Sequence, residues 1–249
     1  MNRPRPTFRP FRVFGDYGAH LRAFKPNARL YLFNVIITGA VMGVFRLIFN
    51  FYVLSLGFDE AMLGNLITTS SFVALLAALP MGYLADTLGR KGSLILSGVM
   101  LAGSILVMAV WQTESVFYAM NVVSGIAQSL AGVTMSPFLM ENSDEKERTY
   151  LFSFGQGLQM TMASVGNWIG GYLPTWMGQA QGASPTSSLA YGDSIFIIGI
   201  GAGLAILPLL FLRTPKLERS QRAIFAPFQY AAKQPLLLTK LILPMLLTS

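Results

Sequence analysis

All but one of the 18 Lys and Arg residues fall in alternate gaps between six long apolar runs, and no other feature constrains the chain as tightly. The runs lie at about 30–56, 61–85, 92–112, 116–140, 151–176 and 190–212. Each reaches the ~20 residues that an α-helix needs to cross the ~30 Å hydrocarbon core of a bilayer. A seventh run begins near Pro235 and reaches Ser249. The bases sit ahead of the first run (Arg3, Arg5, Arg9, Arg12, Arg22, Lys25, Arg29), between the second and third (Arg90, Lys91), between the fourth and fifth (Lys146, Arg148) and after the sixth (Arg213, Lys216, Arg219, Arg222, Lys233, Lys240). The gaps near 57–60, 113–115 and 177–189 hold none. Loops rich in Lys and Arg stay on the cytoplasmic side during insertion. The pattern therefore predicts an all-α integral membrane protein with six transmembrane helices and a cytoplasmic N-terminus.

Composition agrees with lipid as the solvent. Charged residues make up 12% of the chain and hydrophobic ones 53%, against about 25% charged in soluble domains. A net charge of +7 could suit a nucleic-acid partner. Such partners need bases gathered on one folded surface, and here the bases are parcelled out between spans, which argues against nucleic acid. The absence of Cys and the single His20 exclude thiolate and His-rich metal sites. There is no GxxxxGK[ST] phosphate loop, metal-ligand spacing or nucleophile motif. The chain is expected to be neither an enzyme nor an ATP-driven pump, and to need no cofactor.

Residues 1–29 lack the continuous apolar core and small-residue cleavage site of a signal peptide. They read as a basic cytoplasmic arm, whose stretch 3–14 is also suited to anionic headgroups. Residues 30–212 form the transmembrane bundle, 213–234 a basic cytoplasmic linker with prolines at 215 and 227, and 235–249 the start of a truncated seventh span. The polar stretch 178–194 reads as a flexible external loop. Gly39/Gly43, Gly166/Gly170 and Gly199/Gly203 are small-xxx-small pairs that let helix backbones approach in lipid. Trp111, Trp168, Tyr172, Trp176 and Tyr191 fit an interfacial aromatic belt.

The short gap GYLADTLGRKGSL (82–94) concentrates charge and glycine between two spans. Gly89 suits the left-handed conformation that ends a helix. Asp86 sits near the C-terminal end of one span, and Arg90 and Lys91 near the start of the next. Both signs oppose their own helix dipoles, so these charges need partners elsewhere. Glu141, at the cytoplasmic end of the fourth span, is the expected partner of Arg90. A plain turn would need the bases but not Gly82, one turn before Asp86, nor Gly89 before Arg90, so the cluster reads as a latch.

The pattern Gly82-x-Leu84-Ala85-Asp86-x-x-Gly89-Arg90-Lys91 resembles the signature loop between helices 2 and 3 of major facilitator superfamily transporters, with Thr87 where that family often has Arg or Lys. LGFDEAMLGNL (56–66) is similar to the family's turn from helix 1 into helix 2. The resemblance implies a six-helix half built of two inverted three-helix repeats. A second six-helix half would follow in the same chain or as a partner, with substrate held between the halves at the midplane. It implies a conformational gate of Gly82, Asp86, Gly89, Arg90, Lys91 and Glu141, and a multi-pass protein of a prokaryotic inner membrane. The implied activity is secondary transport of a small solute by alternating access, coupled to protons or a counter-substrate. GNWIGG (166–171) is similar to the glycine-proline motif of drug antiporters, with Asn167 in place of proline. That leans the reading toward efflux or antiport.

Arg46 is the eighteenth base, and it lies inside the first span. A charge at mid-membrane costs about 2.5–3.5 kcal/mol on translocon scales, so it needs a partner or an aqueous cavity. The partner is an anionic substrate, a carboxylate in a second half, or helix-end carbonyls. The first case makes the chain an organic-anion exchanger. Asn50 shares the Arg46 face at i+4, and Gln128 lies mid-way along the fourth span. These three are the candidate substrate-binding residues. Asn34, Gln156, Gln159 and Asn167 are further amides within spans. No Asp or Glu lies deep in any span, so a proton-carrying carboxylate would sit in the second half. A non-transporting scaffold or an incomplete half-transporter is the remaining alternative.

Overall fold

Pro26 opens the first helix, α1 (Pro26–Ser55), at the position where a missing backbone N–H costs nothing. In this computed structural model the described residues are 24–213, and all their regular structure is helical. The basic arm before Phe24, the linker beyond Arg213 and the seventh run lie outside the described residues.

Asp59 caps α2 (Glu60–Val110), its carboxylate accepting from Met62 N at 2.8 Å. After a three-residue turn comes α3 (Glu114–Glu141). Next is α4 (Glu145–Gln181), which carries Glu145 and Glu147 in its first turn, where the helix dipole favours acids, and ends on left-handed Gly182. Ser187 caps α5 (Ser188–Leu204) through a bond from Ala190 N at 3.2 Å. One turn, α6 (Leu207–Leu210), follows with Pro208 in its first positions. The expected external loop 178–194 shrinks to Gly182–Ser187 between α4 and α5, because both helices extend into it.

Among the described residues four helical stretches are long and apolar enough to cross a membrane: α1, α2, α3 and Ser188–Leu210. The sequence predicts six spans, and two physical differences account for the gap. The second and third predicted spans fall within the 51 residues of α2, which the non-helical Gly89 divides. At ~1.5 Å per residue those 51 residues are long enough for two crossings of a ~30 Å core. The fifth predicted span lies in α4, which is 37 residues long. Gln156, Gln159, Asn167, Gln179 and Gln181 dilute its apolar character.

Helix α1 packs chiefly on α4, and α2 packs on α3 and α5. Two of the small-residue pairs explain the first contact. A Cβ on Gly43 would run into the Ala163 carbonyl, and one on Gly166 into the Ala40 carbonyl. Gly39 lies against Gln159 and Met162, and Gly170 against Val44. The third pair behaves differently: Gly199 meets Leu106, whereas a Cβ on Gly203 would meet nothing within 4 Å. Apolar side chains gather in two clusters. One surrounds Ile48, Tyr52, Leu66, Ile105, Phe117 and Ile195, and the other Tyr31, Leu94, Phe138, Leu151 and Leu209. The second cluster packs beside the end of the bundle where α3 meets the break in α2.

Candidate functional site

The break in α2 is made by Gly89, which is buried at φ 76°, ψ 166°. This region of backbone space is open to glycine almost alone. Its carbonyl is held by Ser93 Oγ at 2.9 Å. The break sets Asp86 on the last turn before it and Arg90 on the first residue after it. From there the Arg90 guanidinium reaches both ways: Nη1 donates to Asp86 Oδ1 at 3.2 Å and Nε to Glu141 Oε1 at 3.0 Å. Arg90 is thus bonded to a carboxylate on its own helix and to one at the end of α3. Its side chain is 22% exposed, and the carboxylates are 45% and 54% exposed. Ion pairs this open contribute at most about 1 kcal/mol each. They are therefore weak as stabilisers and easily exchanged for other partners.

Lys91 turns away from this triad. Its Nζ donates to Leu210 O at 2.6 Å and Leu212 O at 2.9 Å, beyond the end of α6. Gly82 lies one turn before Asp86, and a Cβ there would meet nothing within 4 Å. No packing contact among the described residues requires glycine at that position. Lys25 pairs with Asp144 at 2.9 Å at the same end of the bundle. Sequence reasoning missed Lys25, Asn27, Asn142 and Asp144. Their polarity is ordinary for helix ends, and nothing local in the sequence marks them as neighbours.

Arg46 and Asn50 are both exposed, one turn apart on α1. Among the described residues neither has a hydrogen bond, and Arg46 has no ion pair. Gln128 is exposed on α3, its Nε2 donating to Ser124 Oγ at 3.1 Å. No hydrogen bond joins it to Arg46 or Asn50. The other amides divide. Asn34 is occupied with structure, donating from Nδ2 to Ala205 O at 2.7 Å where α5 gives way to α6. Gln156 and Gln159 line a groove with Tyr31, Val35, Met135 and Leu139, between α1, α3 and α4. Asn167 is exposed on α4. The described residues hold no cluster of three metal-ligating side chains.

The family model for the Major Facilitator Superfamily matches residues 31–249 of this chain. The chain is also 28% identical, over 167 residues, to an uncharacterized MFS-type transporter, YqjV, from Bacillus subtilis (strain 168). That match covers 65% of this chain and 37% of the relative, so the chain spans well under half of the relative's length.

Proposed function

Because the chain belongs to the major facilitator superfamily, a family of multi-pass membrane proteins, we propose that it acts in secondary transport of a small solute by alternating access, in the direction of efflux or antiport. The observation that carries this reading is the Arg90 guanidinium bonded to Asp86 and Glu141 across the Gly89 break. A pair of helices that must separate and rejoin during transport needs contacts that hold one state without trapping it. Contacts of about 1 kcal/mol or less each meet that need.

In this reading the bundle crosses the inner membrane six times, α2 making two of the crossings, with the N-terminus in the cytoplasm. Asp86, Gly89, Arg90 and Glu141 act as the cytoplasmic gate. The solute binds at mid-membrane against a second six-helix half, and a proton or counter-substrate supplies the driving force.

The test uses ethidium as probe. Cells expressing the intact gene product are loaded with the dye, and its loss is followed by fluorescence. Expression should accelerate efflux, and an uncoupler should abolish the acceleration. Asp86→Asn should slow efflux while leaving the amount of protein in the membrane unchanged. Wild-type rates in Asp86→Asn would sink the gate.

A second reading is favoured by Arg46, exposed beside Asn50 and without an ion pair among the described residues: exchange of organic anions. Its probe is labelled succinate entering proteoliposomes preloaded with unlabelled succinate. Arg46→Lys keeps the charge but loses the two-pronged geometry that fits a carboxylate. It should lower exchange by about ten-fold or more, the scale of a lost charge-assisted hydrogen bond. Exchange equal to wild type would remove bidentate anion recognition from the reading.

A further inference from the structure

Lys91 and Asn27 converge on one short piece of backbone, residues 210–213. Pro208 O and Leu209 O accept from Phe211 N and Leu212 N, at 3.3 and 3.2 Å, but among the described residues no backbone N–H reaches Leu210 O, as is common at a helix terminus. Arg213 N, which could close that turn, is taken instead by Asn27 Oδ1 at 3.0 Å. Asn27 Nδ2 donates back to Arg213 O at 2.6 Å, so one side-chain amide grips both polar groups of a single residue. The same Nδ2 also lies 2.9 Å from Asn142 Oδ1, next to the gate carboxylate Glu141. Lys91 Nζ takes Leu210 O and Leu212 O. Between these anchors the Leu212 side chain is buried, 3% exposed, in the apolar cluster with Tyr31 and Phe138. The hydrogen bonds from Lys91 and Asn27 to residues 210–213 all go to their backbone, so the grip does not depend on which side chains those residues carry.

The placement of Lys91 gives this grip its meaning. Arg90 and Lys91 share a peptide unit, directly after the buried Gly89. Arg90 holds the α3 end through Glu141, and Lys91 holds residues 210–213. A rearrangement at the break cannot carry one residue away and leave the other in place. We propose that Lys91 and Asn27 form a strap that couples residues 210–213 to the Arg90 gate, with Lys91 as a positioning residue. The gate is that of the proposed function, on which the role of the strap rests. Its test needs no transported solute, so failure of the transport reading and failure of the strap are separable.

Residues 1–249 contain no cysteine, so once any cysteine elsewhere in the full-length protein is replaced by serine, a single introduced thiol reports its own position. In the full-length protein, Leu212→Cys should react slowly with N-ethylmaleimide because the side chain is buried. Lys91→Met removes the donors and keeps the stem. It should accelerate that reaction about ten-fold, as expected for losing a charge-assisted hydrogen bond. Lys91→Arg, which can still donate to two carbonyls, should restore the slow rate. A control thiol at Ile198, also 3% exposed but in the other cluster, should keep its rate throughout. Glu141→Gln should speed labelling at 212 when Lys91 is present and add nothing in Lys91→Met. Unchanged labelling at 212, equal acceleration at 198, or independent additive effects of Glu141→Gln and Lys91→Met would each overturn the strap. If Lys91→Met does not accumulate, Asn27→Ala removes the other anchor. It should give the same acceleration, and no acceleration there would overturn the strap as well.

Discussion

Gly43 and Gly166 set how closely α1 and α4 approach, since each places its Cα against a carbonyl of the other helix. In lipid there is little hydrophobic gain in pressing two helices together, so close backbone contact must supply the attraction. Gly43→Leu should force the helices apart and cost about 1–3 kcal/mol, the range for overpacking a tight contact. It should appear as a lower thermal midpoint of the detergent-purified protein. Gly203→Ala is the matched comparison. It meets no neighbour within 4 Å and replaces glycine by the best helix former, so its midpoint should hold or rise. The small-xxx-small spacing is legible in the sequence for all three pairs, but only two of them meet a partner backbone. Spacing records that a close approach is possible on one face, not whether another helix arrives there.

At the scale of the element, α2 is defined by its interruption. Asp86 and Arg90 are four residues apart, a spacing that a continuous helix would also bring together, and across the Gly89 break Arg90 reaches Glu141 of α3 as well. Gly89→Ala puts a Cβ where the backbone at φ 76°, ψ 166° has no room for one, at a cost of order 1–3 kcal/mol. The expected outcome is a lower thermal midpoint together with slower ethidium efflux, checked by a melt and a dye-loss assay on the same preparation. A melt equal to wild type would mean that the break is not strained. The sequence pointed to Gly89 as the turn and to Glu141 as the partner of Arg90. It grouped Lys91 with the gate, whereas the structure sends that side chain to Leu210 and Leu212. Consecutive residues on a helix point about 100° apart, so neighbours in the sequence readily serve different contacts. Asn34 shows the same limit: a polar residue in a span can line a cavity or cap a carbonyl, and only the position of Ala205 decides between them.

At the scale of the whole molecule, the alternation of bases between gaps makes a directional claim. Thr186→Cys, exposed in the turn between α4 and α5, should react with a membrane-impermeant maleimide in intact cells. Glu145→Cys, exposed at the start of α4, should react only after permeabilisation. The reverse pattern would invert the proposed orientation. What the sequence by itself determined is the class of the protein: helical and built for lipid, with a turn of glycines and charges between its second and third apolar runs. Those properties follow from apolar run length and from the placement of charge, which are fixed by the solvent each residue meets and can be read along one dimension. The tertiary structure alone decided which helix faces meet. It set α1 on α4 through four glycines, and it brought Asn27 to Asn142 and Arg213, which are 115 and 186 positions away along the chain. Such contacts depend on the angular position of each side chain and on the packing of every helix between them, and no local pattern in the sequence records either.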